Sequence, residues 1–501
     1  MLKFNEEEKS MIVKTEKELI KPYTFDSANM PGEAEILYFP EKTSEIAEII
    51  QNCYEKGIPF TLSGAGTGLT GGKTPMGGAI ISTEKLNKII RFDDEKATVT
   101  IQPGVIFTDL DKELSDKGYF YPPNPTETNS TLGGNVATNA SGARTFKYGS
   151  TRDYVVRLLM VLPDGDKLNI KRGEVFEKNG MIELVTESGN EIKLKISDIK
   201  MPDIKHAAGY YLKPGMDAID LFIGSEGTLG VFAEIELKLL PRIENILGGL
   251  IFFDDEKKML EFINKTRKYS IKNNDLPIDK CRDISARLIE LFDDNSLEIL
   301  KEHFNEIPDN SAGAVWIEQE FKPEHEEELL EKWYAHIDEH TNYTDLTWFA
   351  LDDKQHEKLM AFRHQLPLEV YETLTSNAYR KIGTDTAVPN EHFNDLYYLI
   401  KDNLKESGLQ NVVFGHTGNS HLHANIFVHS DYEFERAIKI YDNVIENSLQ
   451  MNGTVSAEHG IGKLKKKYLL KMFGKDNIQM MKKLKLQLDN KNLMGKGTLF
   501  D

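Results

Sequence analysis

Residues 63–72 read SGAGTGLTGG, and the reading of this loop decides the fold. Within it, Gly66-Thr67-Gly68-Leu69-Thr70-Gly71 spells GxGxxG behind a strand-like run at residues 58–63 (IPFTLS). A dinucleotide-binding βαβ unit needs such glycines to open a helix whose N-terminus meets a pyrophosphate. Here Gly72, Pro75, Gly77 and Gly78 follow, and then another strand-like run at residues 78–83 (GAIIST). No helix has room to start, so the βαβ reading is rejected. The loop still reads as an anion cradle. Seven glycines from Gly64 to Gly78 are too many for one tight turn, and successive glycines let backbone N–H groups converge on an anion with no side chain in the way.

Outward from the loop, the first third alternates strands and helices. Residues 35–40 (EILYFP) read as a strand. A helix capped by Thr43 or Ser44 follows, with apolar positions at Ile46, Ile49, Ile50 and Cys53, and Gly57 ends it. Residues 98–102 (TVTIQ), 155–162 and 231–240 read as further strands, and residues 108–117 as a helix. Turn signals at Arg172-Gly173, Asn179-Gly180 and Gly189-Asn190 make the polar stretch from Asp164 to about Met201 a set of inserted hairpins. Pro241 marks a boundary. Beyond it, strands at residues 247–253 and 314–320 alternate with helices at residues 256–269 and 323–336, the pattern of an antiparallel sheet with helices on one face. A Lys-rich helical stretch runs from Lys463 to the end.

Composition narrows the function. The formal net charge of −19 disfavours nucleic acid and anionic membrane surfaces as partners. The two cysteines, Cys53 and Cys281, form neither a disulfide framework nor an iron–sulfur or zinc CxxC, so any electrons handled here leave through a separate carrier. The charged N-terminus MLKFNEEEKS lacks the apolar core of a secretory signal, and no apolar run is long enough to span a membrane. The cytoplasm, or the periphery of a membrane, is the expected location.

Three further segments carry chemistry. Residues 121–149 (YPPNPTETNSTLGGNVATNASGARTFKYG) are rich in Asn, Thr, Ser and Gly, which offer hydrogen bonds to a polar, extended ligand. Residues 224–230 (GSEGTLG) join one strand to the next. Residues 414–428 (FGHTGNSHLHANIFV) alternate cleanly from His421 on, with His421, His423 and Asn425 on one side and Leu422, Ala424 and Ile426 on the other. The polar turn 417–420 brings His416 toward His423. Residues 455–463 (VSAEHGIGK) add Glu458 and His459. Two or three imidazoles and a carboxylate suit Zn²⁺, Mn²⁺ or Fe²⁺; a polar sheet face with exposed histidines is the alternative.

Taken together, these segments resemble the FAD-binding domain of the vanillyl-alcohol-oxidase and p-cresol-methylhydroxylase superfamily, in the branch of D-lactate, glycolate and D-2-hydroxyglutarate dehydrogenases. The segments that carry the resemblance are SGAGTGLTGG, TLGGNVATNASGARTFKYGSTRDYVV and DLFIGSEGTLGVF. The resemblance implies an α+β chain: a two-subdomain FAD-binding domain of the p-cresol-methylhydroxylase type at 33–241, with its hairpin insertion at about 165–201, and an α+β cap domain with an antiparallel sheet at 242–455. A helical extension at 1–32 and a segment at 456–501 returning to the flavin complete it. The glycine loop holds no histidine, so FAD is expected to bind non-covalently.

By the same resemblance FAD is lined by Ser63, Gly64, Ala65, Gly66, Thr67, Gly68, Leu69 and Thr70 of the glycine loop. The second segment adds Pro123, Thr126, Gly133, Gly134, Thr138, Asn139, Gly142, Tyr148 and Gly149, and the third adds Glu226 and Val231. His416, His423 and Glu458 fall on metal-ligand positions and His459 on the base. Arg363 (in LMAFRHQLP), Lys381 (in KIGTDTAVP) and Asn425 fall on substrate positions. The chain departs from the family where Asn419-Ser420-His421 replaces Asp-Gly-Asn, which makes His421 a candidate additional ligand. It departs again where Met494-Gly495-Lys496-Gly497-Thr498 replaces an NPGK-like end.

The expected reaction is oxidation of a D-2-hydroxy acid, D-lactate first, to the 2-oxo acid. The expected acceptor is a quinone, an electron-transfer flavoprotein or an iron–sulfur protein. A homodimer is compatible with the sequence. Two other readings compete: a transferase like alkyl-dihydroxyacetone-phosphate synthase, which shares the fold, and a non-catalytic subunit of an electron-transfer assembly.

Overall fold

The computed structural model describes residues 11–376 and 379–501. The N-terminal decapeptide, on which the secretory-signal expectation rests, lies outside the described residues, as does the start of the expected helical extension. Of the rest of that extension, Ile12–Lys14 is a strand antiparallel to Ile36–Phe39, while Lys17–Ile20 and Lys21–Tyr23 are short helices.

Among the described residues, the chain up to Pro241 builds two larger sheets and two two-stranded ones. In the first, Ile36–Phe39 and Phe60–Ser63 both pair parallel with Ala79–Ser82. The helix Thr43–Lys56 packs its Ile46, Ile49, Ile50 and Cys53 into the same core. It ends at Gly57 with φ of 65°, as expected, but neither Thr43 nor Ser44 caps it. The helix starts one residue early, and the Glu45 carboxylate accepts from Glu41 N–H at 2.6 Å instead. Between Ser63 and Ala79 the chain forms no helix, as the spacing of glycines and proline required.

The second sheet is antiparallel, in the order Ile89–Asp93, Thr98–Ile101, Val231–Lys238, Val155–Val161, Lys167–Lys171. Lys167–Lys171, expected inside a separate hairpin set, extends this sheet; Met181–Val185 and Glu191–Lys195 alone make a detached hairpin.

After Pro241, eight strands form one antiparallel sheet. Its order is Trp348–Ala350, Ile246–Phe253, Gly313–Glu320, Leu288–Asp293, Asn411–His416, His421–Val428, Arg380–Gly383, with Thr386–Ala387 also on His421–Val428. Helices cover both faces, not one. Leu247, Ile289, Val315 and Leu422 share a core with residues of the helices Glu256–Asn273, Phe393–Ser407 and Asp431–Gln450. Leu250, Phe292, Trp316 and Phe427 share another with Leu359, Phe362 and Leu366 of the helix Asp353–Ser376. The reason is visible in the strands: Leu288–Asp293 and Gly313–Glu320 are buried at every residue, so alternation sends apolar side chains to both sides. No described helix is long and apolar enough to cross a membrane.

The C-terminal Lys-rich stretch is helical from Lys466 to Leu488, broken at Gly474. The tail then returns to the first sheet. Phe60 N–H donates to Leu493 O and Gly495 N–H to Phe60 O, both at 2.9 Å.

Candidate active site

A cleft open to solvent, about 1070 Å³ including that open space, runs along the glycine loop. Gly64, Ala65, Gly66, Thr67, Gly68 and Thr70 line it. From the second segment Gly133, Gly134 and Thr138 line it, and from the third Glu226 and Val231. Gly66 sits at φ +82°, a conformation that L side chains rarely adopt.

The other residues expected to line FAD lie elsewhere. Ser63 is buried beneath the loop, and Leu69 points outward, 42% exposed. Pro123 is buried. Thr126 lies 3.5 Å from Arg363 Nη2. Asn139 accepts from Arg152 N–H at 2.9 Å and thereby shapes the backbone. Gly142 packs so tightly that a Cβ there would lie 1.9 Å from Asn124 O. The Tyr148 hydroxyl donates to Glu320 across to the cap sheet, and Gly149 is the positive-φ residue ending the short helix Thr145–Tyr148. Asp26, Lys73, Thr83 and Pro103 are among the lining residues that escaped sequence reasoning; Gly495, where the tail's departure left contact open, also lines the cleft.

Glu226 stitches the C-terminal loop to this cleft. Its carboxylate accepts from Ile461 N–H at 2.8 Å and Gly462 N–H at 2.7 Å, and burial raises its pKa to about 7. Thr70 O accepts from Lys463 N–H at 2.8 Å. These bonds bring His459 to the cleft wall.

Behind His459 stands a cluster on the sheet. The antiparallel register places Glu290 beside His416 and Phe414 beside His423. Strand alternation then points Glu290, His416, His421, His423 and Asn425 to the face covered by the helix Asp353–Ser376, while Leu422, Ala424 and Ile426 enter the opposite core. Ligand-capable atoms of His416, His421, His423 and Glu458 all lie within 4.8 Å of one another. His423 stacks against His459 with centroids 5.2 Å apart.

The orientation of the rings is informative. His423 Nδ1–H donates to Thr384 O at 3.1 Å, which leaves the bare Nε2 facing Glu458 Oε2 at 3.7 Å. His416 Nδ1 lies 2.9 Å from Glu290 Oε1, slightly off the hydrogen-bonding direction, and its Nε2 faces Glu458 Oε1 at 3.3 Å. Burial opposes the charged form of His416, but Glu458 and Glu290 outweigh it and raise its pKa; a divalent cation bound here would take the place of that proton. The donor set, two or three imidazole nitrogens with a carboxylate, fits a divalent transition metal, with Glu290 and Thr384 as the outer partners that fix the tautomers. Lys205, which sequence reasoning missed, places its ammonium on Glu458 Oε1, and Ser141 Oγ donates to the same oxygen at 3.3 Å. Burial opposes the charge on Glu458, but Lys205 and His416 outweigh it and hold its pKa well below the usual carboxylate range.

Glu290, within the apolar strand Leu288–Asp293, and Asp385, in the link between the strands Arg380–Gly383 and Thr386–Ala387, also escaped sequence reasoning, because neither carboxylate sits in a motif. Asp385 is fully buried. It accepts from Glu458 N–H at 3.1 Å, His459 N–H at 3.0 Å, Ser456 Oγ–H at 2.7 Å and Lys465 Nζ at 2.8 Å. Its Oδ2 also lies 3.4 Å from His459 Nδ1. Desolvation lowers the pKa of His459 to about 4 against that attraction, so the imidazole is neutral at pH 7.

Glu290 joins the cluster to Arg363: Arg363 Nε donates to its Oε2 at 2.7 Å. Burial would raise the Glu290 pKa, but Arg363 and His416 bring it down to about 2. Arg363 Nη1 is buried and unpartnered, a free donor for an anion. Lys381 sits on the neighbouring strand, opposite Phe427, and its ammonium has no ion pair among the described residues. Gly383 on the same strand lets Asn425 approach: a Cβ at that position would lie 3.1 Å from its Oδ1.

Comparison with known proteins adds two domain matches. Residues 34–171 match an FAD binding domain, and residues 281–499 match the C-terminal domain of FAD linked oxidases. The chain is 29% identical to the glycolate oxidase subunit GlcD of Bacillus subtilis, covering 92% of this chain and 88% of that protein. It is 28% identical to a D-lactate dehydrogenase of Anaerostipes hadrus, covering 96% and 93%. It is 27% identical to a mitochondrial D-lactate dehydrogenase [cytochrome] of Saccharomyces cerevisiae, covering 93% and 72%. Among solved structures, an alkyldihydroxyacetonephosphate synthase superposes with a TM-score of 0.64 at 17% identity, over 96% of this chain and 81% of that one.

Proposed function

Because the chain belongs to the FAD-linked oxidoreductases of the vanillyl-alcohol-oxidase and p-cresol-methylhydroxylase superfamily, in the branch that holds D-lactate dehydrogenases and glycolate oxidase, we propose that it oxidises a D-2-hydroxy acid, D-lactate first, to the 2-oxo acid. One observation supports this reading above the rest. His459 stands between the FAD cleft and an imidazole–carboxylate cluster, and the cluster is tied through Glu290 to an arginine with a free buried donor.

When bound, non-covalent FAD supplies a two-electron acceptor, and a divalent metal (Zn²⁺, Mn²⁺ or Fe²⁺) supplies a Lewis acid that lowers the substrate hydroxyl pKa. His416, His423 and Glu458 would hold the metal. Arg363, with Lys381 and Asn425, receives the substrate carboxylate; with Nε on Glu290 and Nη2 near Thr126, its Nη1 is left free for it. That anchor sets which face of Cα meets the flavin. Neutral His459, oriented by Asp385, takes the hydroxyl proton at an imidazole nitrogen. Electrons then leave to a separate carrier, a quinone, an electron-transfer flavoprotein or an iron–sulfur protein, since the two cysteines are far apart and cannot hold a cluster. The likeness to the synthase is one of fold alone, and nothing in the site favours a transferase.

The test is anaerobic. The purified flavoprotein is mixed with a panel of D- and L-2-hydroxy acids, with and without added Mn²⁺ or Zn²⁺. Bleaching of the flavin by a D-acid, lost after chelation, is the expected result. A bound flavin that no acid bleaches in the presence of metal sinks the proposal.

A further inference from the structure

His421 is left over by this reading. It is 0% exposed; its Nε2 has only Asp385 beside it, off the ideal hydrogen-bonding direction, and its Nδ1 has no hydrogen-bond partner. Buried polar groups are normally satisfied, and one that is not calls for an explanation such as an absent ion. Its place in the strand puts it two residues from His423 on the same face, with ring centroids 4.3 Å apart, and 5.5 Å from His416.

The ring has one side for each of two neighbours. Nε2 lies 3.1 Å from Asp385 Oδ1, so the proton belongs on Nε2. Nδ1 is then a bare lone pair, and it faces Glu458 Oε1 at 3.9 Å. This repeats the arrangement at His416, where Glu290 stands behind the ring, and at His423, where Thr384 O does. Three imidazoles, each backed by an oxygen, turn their other ring nitrogen to one carboxylate.

We propose that His421 is a fourth protein ligand of the divalent metal, binding through Nδ1 and oriented by Asp385. The proposal rests on the reading of this cluster as a metal centre. Three nitrogens and one carboxylate favour Zn²⁺, Fe²⁺, Mn²⁺ or Co²⁺ over Mg²⁺ and Ca²⁺, which prefer oxygen donors. Four protein donors also fill a tetrahedral shell, so a substrate oxygen enters only as a fifth ligand.

The experiment uses the FAD-loaded full chain, stripped by chelator and checked for an unchanged flavin spectrum. Zn²⁺ affinity is measured by chelator competition for wild type, His421→Ala and His416→Ala. A loss on the order of 100-fold or more is expected for both variants, beyond the roughly 10–100-fold typical of losing only an outer partner. In parallel, pulsed EPR of the wild-type protein with one equivalent of Cu²⁺ counts coordinated imidazoles, which needs no variant to fold. Three imidazoles support the proposal. Two imidazoles, or wild-type affinity in His421→Ala while His416→Ala loses the metal, overturn it and leave the metal centre standing. Failure of wild type to bind Zn²⁺ at all overturns the metal centre itself, and this inference with it.

Discussion

Glu290 has one carboxylate oxygen against a candidate metal-ligand histidine and the other against the candidate substrate arginine. Glu290→Gln keeps the volume but replaces one of the two acceptor oxygens by an NH2, which then faces the N–H of either His416 or Arg363. It is expected to weaken metal binding by about 10-fold or more and to raise KM for the hydroxy acid, with FAD retained. Metal content by atomic spectroscopy, read beside steady-state kinetics, checks this; an unchanged KM with unchanged metal content would show that Glu290 only fills space. His459→Ala is expected to leave the flavin bound and to slow its reduction by about 10²–10⁴-fold, the usual contribution of a positioned base. Stopped-flow bleaching measures that directly, and a wild-type rate in the variant removes His459 from the mechanism.

The helix Asp353–Ser376 positions Arg363 by burying the residue beside it. Phe362 is 1% exposed and packs edge-on to Phe292, with Phe304 and Trp348 on its other sides. Phe362→Ala is expected to cost about 3–5 kcal/mol and to raise KM more than it lowers kcat, because the arginine loses its support while His459 keeps its own. Thermal unfolding and the KM-against-kcat split report the two effects separately. In the second FAD segment, Gly142→Ala forces a Cβ to within 1.9 Å of Asn124 O. Backbone must move, so reconstitution of the apoprotein with FAD is expected to weaken; full flavin occupancy in that variant would contradict the packing.

At the scale of the whole molecule, pH acts on the cap through a buried aromatic cluster. His336 stacks on Phe262 at 4.7 Å and packs against Trp333 and His340, near the Glu339–Lys265 pair. Burial lowers its pKa from 6.5 to about 4. Between those values the unfolded chain binds more protons than the folded one, so stability rises with pH across that window. The stabilisation is complete above about pH 6.5 and is lost as pH falls toward 4, by up to about 3 kcal/mol. Melting temperatures recorded from pH 7.5 to 4.5 should fall, and His336→Phe should flatten part of the slope. FAD, binding only the folded form, should raise the melting temperature with its concentration.

Period-two alternation in residues 421–428 fixed which histidines share a face, and it did so without any tertiary information, because a strand's side chains have nowhere else to point. The absence of a helix after SGAGTGLTGG was equally local: glycine, proline and the next strand leave no room for one. The loop's backbone therefore announced an anion cradle from sequence, and only the family resemblance made FAD its expected occupant. Glu290, Asp385 and Lys205 did not announce themselves. Each is a charged residue in an unremarkable stretch, and each acquires its meaning from the register of an antiparallel sheet or from a loop more than fifty residues away. The same is true of the cap's two covered faces, since burial on both sides depends on which helices return to the sheet. Local stereochemistry determined the strands, the loop and the facing of the histidines. Long-range pairing alone decided which carboxylates stand behind those rings, because cross-strand neighbours are set by the fold and not by adjacency in the chain.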